Sequence, residues 1–210
     1  MTRARSRSRG FAIALALCAG ASPGADVSPT SSSGAPAPGC LPGERGYLQA
    51  TLRGALQAQL DWRGTALECQ GGPRADGSGI RISLSGPLSP GGRRLRLIIG
   101  LVAQPGRDAP GPVMANVTAI LEGEGRLYAT RGEGHCEVDA LRQELLPAGA
   151  RGVAPTRAFR VAARGFCIDP LPALTSAPNG DADKLYIDRF DFAAVASFTP
   201  ESIDVSLAAH

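Results

Sequence analysis

The clearest pattern in the chain is a strict alternation of apolar and polar side chains from Leu48 to Trp62. Every even position in this run is apolar or glycine, and the odd positions are mostly Gln, Thr, Arg and Asp. Ala, Leu and Gln also form helices well, but on a helix this alternation would spread the apolar residues around the whole circumference. The pattern therefore predicts a sheet with one buried face, and Gly54 predicts a bulge or sharp bend within it.

The same alternation continues along the chain between turns rich in glycine and proline. Ile80, Ile82 and Leu84 alternate with polar residues, and later apolar runs indicate further strands at Arg93–Leu101, Val113–Leu121, Arg126–Thr130, Cys136–Leu145, Phe159–Ile168, Leu185–Phe192 and Ile203–Leu207. Turns are predicted at Gly71-Gly72-Pro73, Asp76-Gly77, Ser89–Gly92 and Glu122–Gly125. Roughly nine or ten strands without a long helical pattern predict an all-β domain, an antiparallel β-sandwich or barrel-like fold.

The N-terminus has the composition of a secretory signal peptide, predicted to span residues 1–21. Four arginines among the first nine residues precede the apolar run Phe11–Cys18, which small residues follow. This run is too short to span a bilayer, which takes about 20 residues. Residues 22–39 are rich in Ser, Pro, Gly and Ala and predict a flexible tether, which leaves residues 40–210 for the folded domain.

Two processing sites fit this leader. Cleavage after Ala19-Gly20-Ala21 would leave Ser22 as the first residue. Alternatively, Leu15-Ala16-Leu17-Cys18 resembles a lipobox, which would make Cys18 a lipidated N-terminus. Leu17 departs from that pattern, because a small residue normally precedes the cysteine. Both alternatives predict export to the periplasm, to the outer membrane through a lipid anchor, or to the medium.

The net charge changes once the leader is set aside. The whole chain carries a formal charge of +3. Without the four leader arginines, 18 Lys and Arg stand against 19 Asp and Glu, a charge of −1. Nucleic-acid binding needs clustered positive charge, so this class of partner is not expected.

The cysteines also favour an oxidising compartment. Beyond Cys18 the chain has Cys40, Cys69, Cys136 and Cys167, an even number that predicts two disulfides. Four cysteines allow three connectivities; the pairs Cys40–Cys69 and Cys136–Cys167 are favoured because each closes a short local loop. Neither the cysteines nor the two histidines have zinc-site spacing.

Apart from the C-terminal His210, His135 is the only histidine of the chain, and Glu133, Glu137 and Asp139 lie near it in sequence. A general base would also need a nucleophile, and the chain has no Gly-x-Ser-x-Gly elbow. We therefore interpret His135 as a surface histidine beside a structural cysteine, and no catalytic residue is predicted.

A short acidic segment is the one candidate for a metal site. Asn179, Asp181 and Asp183 place oxygen side chains at alternating positions, as at the start of an EF-hand loop. The twelfth position would be Phe190, where a bidentate Glu is required, so an EF-hand is excluded. A looser calcium site that includes Asp188 is the alternative to a simple turn; no other cofactor is predicted.

Four arginines could form a basic stripe on one sheet face: Arg81, Arg93, Arg94 and Arg96. Such a stripe would suit the phosphates of a lipid surface or another polyanion. The alternative is a solvated outer face whose charges protect a sheet edge.

The segments Trp62–Cys69 and Pro73–Gly79 resemble part of a group of uncharacterised exported proteins of proteobacteria. The runs Asn116–Gly125 and Gly165–Cys167 are also similar to it. This resemblance covers most of residues 46–195 and implies an envelope protein. It implies no activity and no site residue.

The order of leader, tether and cysteine-containing β domain predicts a non-enzymatic module of the bacterial cell envelope that acts by binding. Its partner would be an envelope protein or a polyanionic or lipid surface. Two alternatives stay open, a secreted hydrolase that uses loop carboxylates and a calcium-stabilised adhesion or matrix module.

Overall fold

The alternating runs form eleven strands in the computed structural model of the protein. It describes residues 39–89, 91–109, 111–132, 134–147, 157–174 and 183–200. The strands are β1 (Tyr47–Gly54), β2 (Ala58–Arg63), β3 (Glu68–Pro73), β4 (Ile80–Leu88), β5 (Arg93–Leu101), β6 (Val113–Glu122), β7 (Arg126–Ala129), β8 (Cys136–Leu145), β9 (Arg157–Cys167), β10 (Leu171–Pro172) and β11 (Lys184–Phe198).

All of these strands belong to one antiparallel sheet. Neighbouring strands follow the order β2-β1-β11-β9-β8-β6-β5-β4-β3, while β7 pairs with β6 and β10 with β11. The described strands do not close the sheet into a continuous ladder. The predicted all-β antiparallel class is therefore confirmed, with eleven strands in place of nine or ten.

One face of the sheet encloses the core. Ile80, Ile82 and Leu84 of β4 are fully buried, and so are the alternate apolar residues of β5, Leu95, Leu97, Ile99 and Leu101. A single apolar cluster collects side chains from most of the strands. Because each buried aliphatic side chain contributes about 1.5–3 kcal/mol, this cluster fixes which face of every strand points inward.

The run from Leu48 to Trp62 is two strands joined at the predicted bend. Gly54 ends β1 with a φ of 85°, a left-handed conformation that glycine adopts without steric cost. The chain then reverses into β2, where Trp62 is buried and its indole Nε1 donates to the carbonyl oxygen of Pro87 at 2.9 Å. This contact places β2 against β4, although the two strands lie far apart in the strand order.

The prediction of a turn at Gly71-Gly72-Pro73 is wrong, because these residues belong to β3. The small size of Gly71 and Gly72 allows β3 to pack closely against β11. A β-carbon on Gly71 would lie 2.9 Å from the Cα of Ala196, closer than real side chains come. Proline is tolerated at Pro73 because the residue ends a strand that pairs on one side, with β4.

Both predicted disulfides are confirmed. Cys40 bonds to Cys69 at the start of β3, and Cys136 bonds to Cys167. The second pair joins directly opposed residues of β8 and β9. The first joins β3 to the segment that enters β1, where the carbonyl oxygen of Gly39 accepts a hydrogen bond from the β11 backbone.

Other predicted boundaries agree closely with the strands. The hairpin around Glu122–Gly125, the turn at Asp76-Gly77 and the strand Cys136–Leu145 are present. The strand predicted at Leu185–Phe192 extends to Phe198 because its second half pairs with β9. The predicted leader, nearly all of the tether and the strand Ile203–Leu207 lie outside the described residues.

The contact between β2 and β4 can be tested at Gly86, which lies under the Trp62 ring. A β-carbon there would lie 2.6 Å from Cε2 of the indole, so we expect Gly86→Ala to lower the free energy of unfolding by about 1–3 kcal/mol. Trp62 is the only tryptophan, so its fluorescence reports the displacement directly during denaturant unfolding.

Gly111→Ala is the matched control, because a β-carbon at Gly111 meets nothing within 4 Å. We expect this change to alter the free energy of unfolding by no more than about 0.5 kcal/mol. Unchanged stability and unchanged Trp62 emission in Gly86→Ala would contradict the described packing of β2 on β4.

Candidate ligand-binding face

The predicted basic stripe is divided between the two faces of the sheet. Strand alternation puts Arg81 of β4 and both Arg94 and Arg96 of β5 on the outer face, opposite the core. Arg93 has the parity of the buried Leu95 and lies at the exposed start of β5. The prediction that all four arginines share one face is therefore wrong for Arg93.

Arg94 and Arg96 are tied to carboxylates of neighbouring strands. Glu122 of β6 lies opposite Arg94 in register and binds both arginines, with Arg94 Nε at 3.3 Å and Arg96 Nη2 at 2.6 Å from its oxygens. Arg94 also reaches Glu68 of β3 at 2.8 Å. The hydroxyl of Ser85, which is buried, lies 3.3 Å from Glu122 Oε1.

This network keeps Glu122 ionised. Burial alone would raise the pKa of Glu122, but the hydrogen bonds and positive charges of Arg96 and Arg94 outweigh it and hold the pKa below its ordinary value.

Arg93 is also paired, with Glu124 at 3.4 Å. Three of the four arginines therefore contact glutamates, and the outer-face pair, Arg94 and Arg96, has the ion pairs expected of a solvated face.

His135 is held between two acceptors. Its Nδ1 lies 2.9 Å from Asp169 Oδ2, and its Nε2 lies 3.1 Å from the carbonyl oxygen of Arg131. Both ring nitrogens of His135 are therefore within hydrogen-bond distance of groups in the protein itself.

The acidic segment is only partly described. Asn179 and Asp181 lie outside the described residues, so the calcium site stays a prediction. The backbone oxygen of Asp183 accepts a hydrogen bond from Ala173, and the carboxylate of Asp188 is bound by Arg53 of β1. Among the described residues no three His, Cys, Asp or Glu side chains are grouped closely enough to hold a metal ion.

Several shallow concavities on the described part of the outer face were not predicted from the sequence. One has a volume of about 310 Å³ and is lined by Gln49, Thr51, Gln59, Asp61 and Arg189. The second, of about 240 Å³, lies over β4, β5 and β6 beside the turn between β3 and β4. A third, of about 290 Å³, lies over β8, β9 and β11. Side chains of separate strands form each of them, so no linear motif could have revealed them.

Comparison with known proteins does not identify the chain. It matches no protein-family model, and no curated protein or solved structure is detectably similar to it. The resemblance to exported proteobacterial proteins therefore stays a prediction. In the part of the chain that is described, no helix combines the length and apolar character that crossing a bilayer requires.

The glutamate at the centre of the arginine network offers a pH-dependent test. The ordinary pKa of Glu122 is 4.5 and its folded-state pKa is lower. Ionised Glu122 therefore contributes its full stabilisation of the fold above pH 4.5. This contribution is lost as the pH falls through the folded-state pKa. We expect Glu122→Gln to lower the free energy of unfolding by roughly 1 kcal/mol at neutral pH and by much less in acid.

Glu144→Gln is the matched control, because Glu144 is exposed on β8 and should change stability little at any pH. Denaturant unfolding measured across this pH range provides both comparisons. An equal loss in both variants, or a loss for Glu122→Gln that persists in acid, would contradict the assigned network.

Proposed function

We propose that this protein is an exported, non-enzymatic binding module of the bacterial cell envelope. The observation that carries the proposal is the pair of disulfides, Cys40–Cys69 and Cys136–Cys167. Structural disulfides form and persist in oxidising compartments, whereas cytosolic reductants keep thiols reduced. Each closes a loop of about 30 residues, which stabilises a fold by roughly 3–4 kcal/mol in the chain-entropy model.

The predicted leader supports the same compartment independently. A basic start, a short apolar run and small residues are typical of a signal peptide, and Cys18 supplies an alternative lipid-anchor site. A tether rich in Ser, Pro and Gly would separate such an anchor from the folded domain.

Binding is favoured over catalysis because the candidate catalytic side chains already contact other groups of the protein. Both ring nitrogens of His135 lie within hydrogen-bond distance of Asp169 or a backbone carbonyl, and the negative charge of Glu122 is paired with two arginines. The outer face instead offers several open concavities with hydrogen-bonding side chains. We propose that this face contacts an envelope protein or a polyanionic surface.

Intact-mass measurement of the protein from membrane and soluble fractions tests this proposal, before and after reduction. We expect a mass that begins either at Ser22 or at an acylated Cys18, and a gain of about four mass units on reduction and unfolding. The first mass means a free periplasmic or secreted module, and the second a lipid-anchored one.

Two outcomes would contradict the proposal. One is a full-length chain that begins near Met1 and is confined to the cytoplasm. The other is the absence of a mass gain on reduction, which would mean that the four cysteines do not form disulfides in the cell.

A further inference from the structure

The second concavity, over β4, β5 and β6, contains the outer-face arginine of the predicted stripe that is not joined to a glutamate. Arg81 of β4 is half-buried and has no ion-pair partner among the described residues. Its strand neighbours in register are Gly100 of β5 and, one strand further, Asn116 of β6. The side chains of Arg81 and Asn116 therefore stand on either side of a residue that has none.

Gly100 forms the floor between them. Neighbouring strands lie about 4.8 Å apart, so Arg81 and Asn116 rise from backbone positions about 10 Å apart. A β-carbon on Gly100 would collide with the Asn116 amide oxygen and would lie 3.8 Å from Cδ of Arg74. The missing side chain thus lets polar groups approach the backbone of β5.

The donors around this floor belong to different strands. Thr118, two residues after Asn116 on the same face of β6, contributes a hydroxyl. Arg74, the residue that follows β3, forms a wall; its side chain is 11% exposed and contacts Asp76 at 3.0 Å. Asp76 in turn accepts hydrogen bonds from the backbone and hydroxyl of Ser78, so the carboxylate of Asp76 is engaged within the turn.

We infer that this concavity binds a phosphate monoester, with Arg81 facing the phosphate from one side and the hydroxyl of Thr118 donating from the other. A guanidinium matches phosphate oxygens in a two-bond geometry. A phosphate carries acceptor oxygens in several directions, so donors on both sides of Gly100 can be satisfied together. The volume of about 240 Å³ also leaves room for the group that the phosphate esterifies.

This inference rests on the proposed function, because an exported module would meet phosphate esters outside the cytoplasm. They could come from a soluble compound or from a lipid headgroup. The chemistry at the site is the same for both sources, so the experiment needs one soluble probe and one membrane probe.

The test uses the mature protein as recovered from cells. Glycerol 3-phosphate is titrated by calorimetry, and phosphatidylcholine vesicles with and without phosphatidic acid are tested by co-sedimentation. We expect binding to at least one phosphate probe and a loss of about tenfold or more in Arg81→Gln, because a charge-assisted hydrogen bond is removed.

Two further variants make the result specific. Asn116→Asp keeps the shape of the side chain but places a carboxylate beside the phosphate, so we expect a similar loss. Arg142→Gln removes an exposed arginine of β8 that lies outside the concavity, and we expect its affinity to stay within about twofold of the unchanged protein. Far-UV circular dichroism establishes that each variant is folded.

Binding of the soluble ester, lost in Arg81→Gln and in Asn116→Asp, supports a soluble ligand. Binding confined to phosphatidic acid vesicles, with the same losses, supports a lipid headgroup. Failure to bind either probe, or an equal loss in Arg142→Gln, would overturn the phosphate site. Neither of these failures changes the intact mass, so the proposed exported module would be rejected only by its own test.

Discussion

The fold depends on the close approach of β3 to the second half of β11. β1 pairs with β11 only up to Ala193, so the remainder of that edge must find other partners. The backbone N–H of Val195 donates to Gly39 at 3.1 Å, and Gly71 of β3 packs directly against the same segment. The Cys40–Cys69 disulfide ties the Gly39 segment to β3 and so holds both contacts in place.

This arrangement determines what the outer face can do. Once the apolar face is turned inward, the polar residues of β4, β5 and β6 line up across neighbouring strands by register alone. Arg94 and Arg96 then meet Glu122, whereas Arg81 meets the bare backbone of Gly100. One row of the sheet is therefore closed by ion pairs, whereas Arg81 in another row has no ion-pair partner among the described residues.

The sequence was sufficient to predict the fold class and the disulfide pairing, because period-two alternation and short loop lengths are each visible within one stretch of residues. It was insufficient at Gly71 and Gly72, where glycine serves close packing against a distant strand and not a turn. The concavity at Gly100 was missed for a related reason. Arg81 and Asn116 are brought together only by the register of three strands, which no local pattern encodes.

Hydrogen exchange in a Cys40→Ser/Cys69→Ser variant tests the central role of the β3–β11 contact most directly. We predict that the amide of Val195 and the amides of β3 lose protection, while β8 and β9, joined by Cys136–Cys167, keep theirs. Protection unchanged at Val195, or lost equally throughout the sheet, would contradict the account.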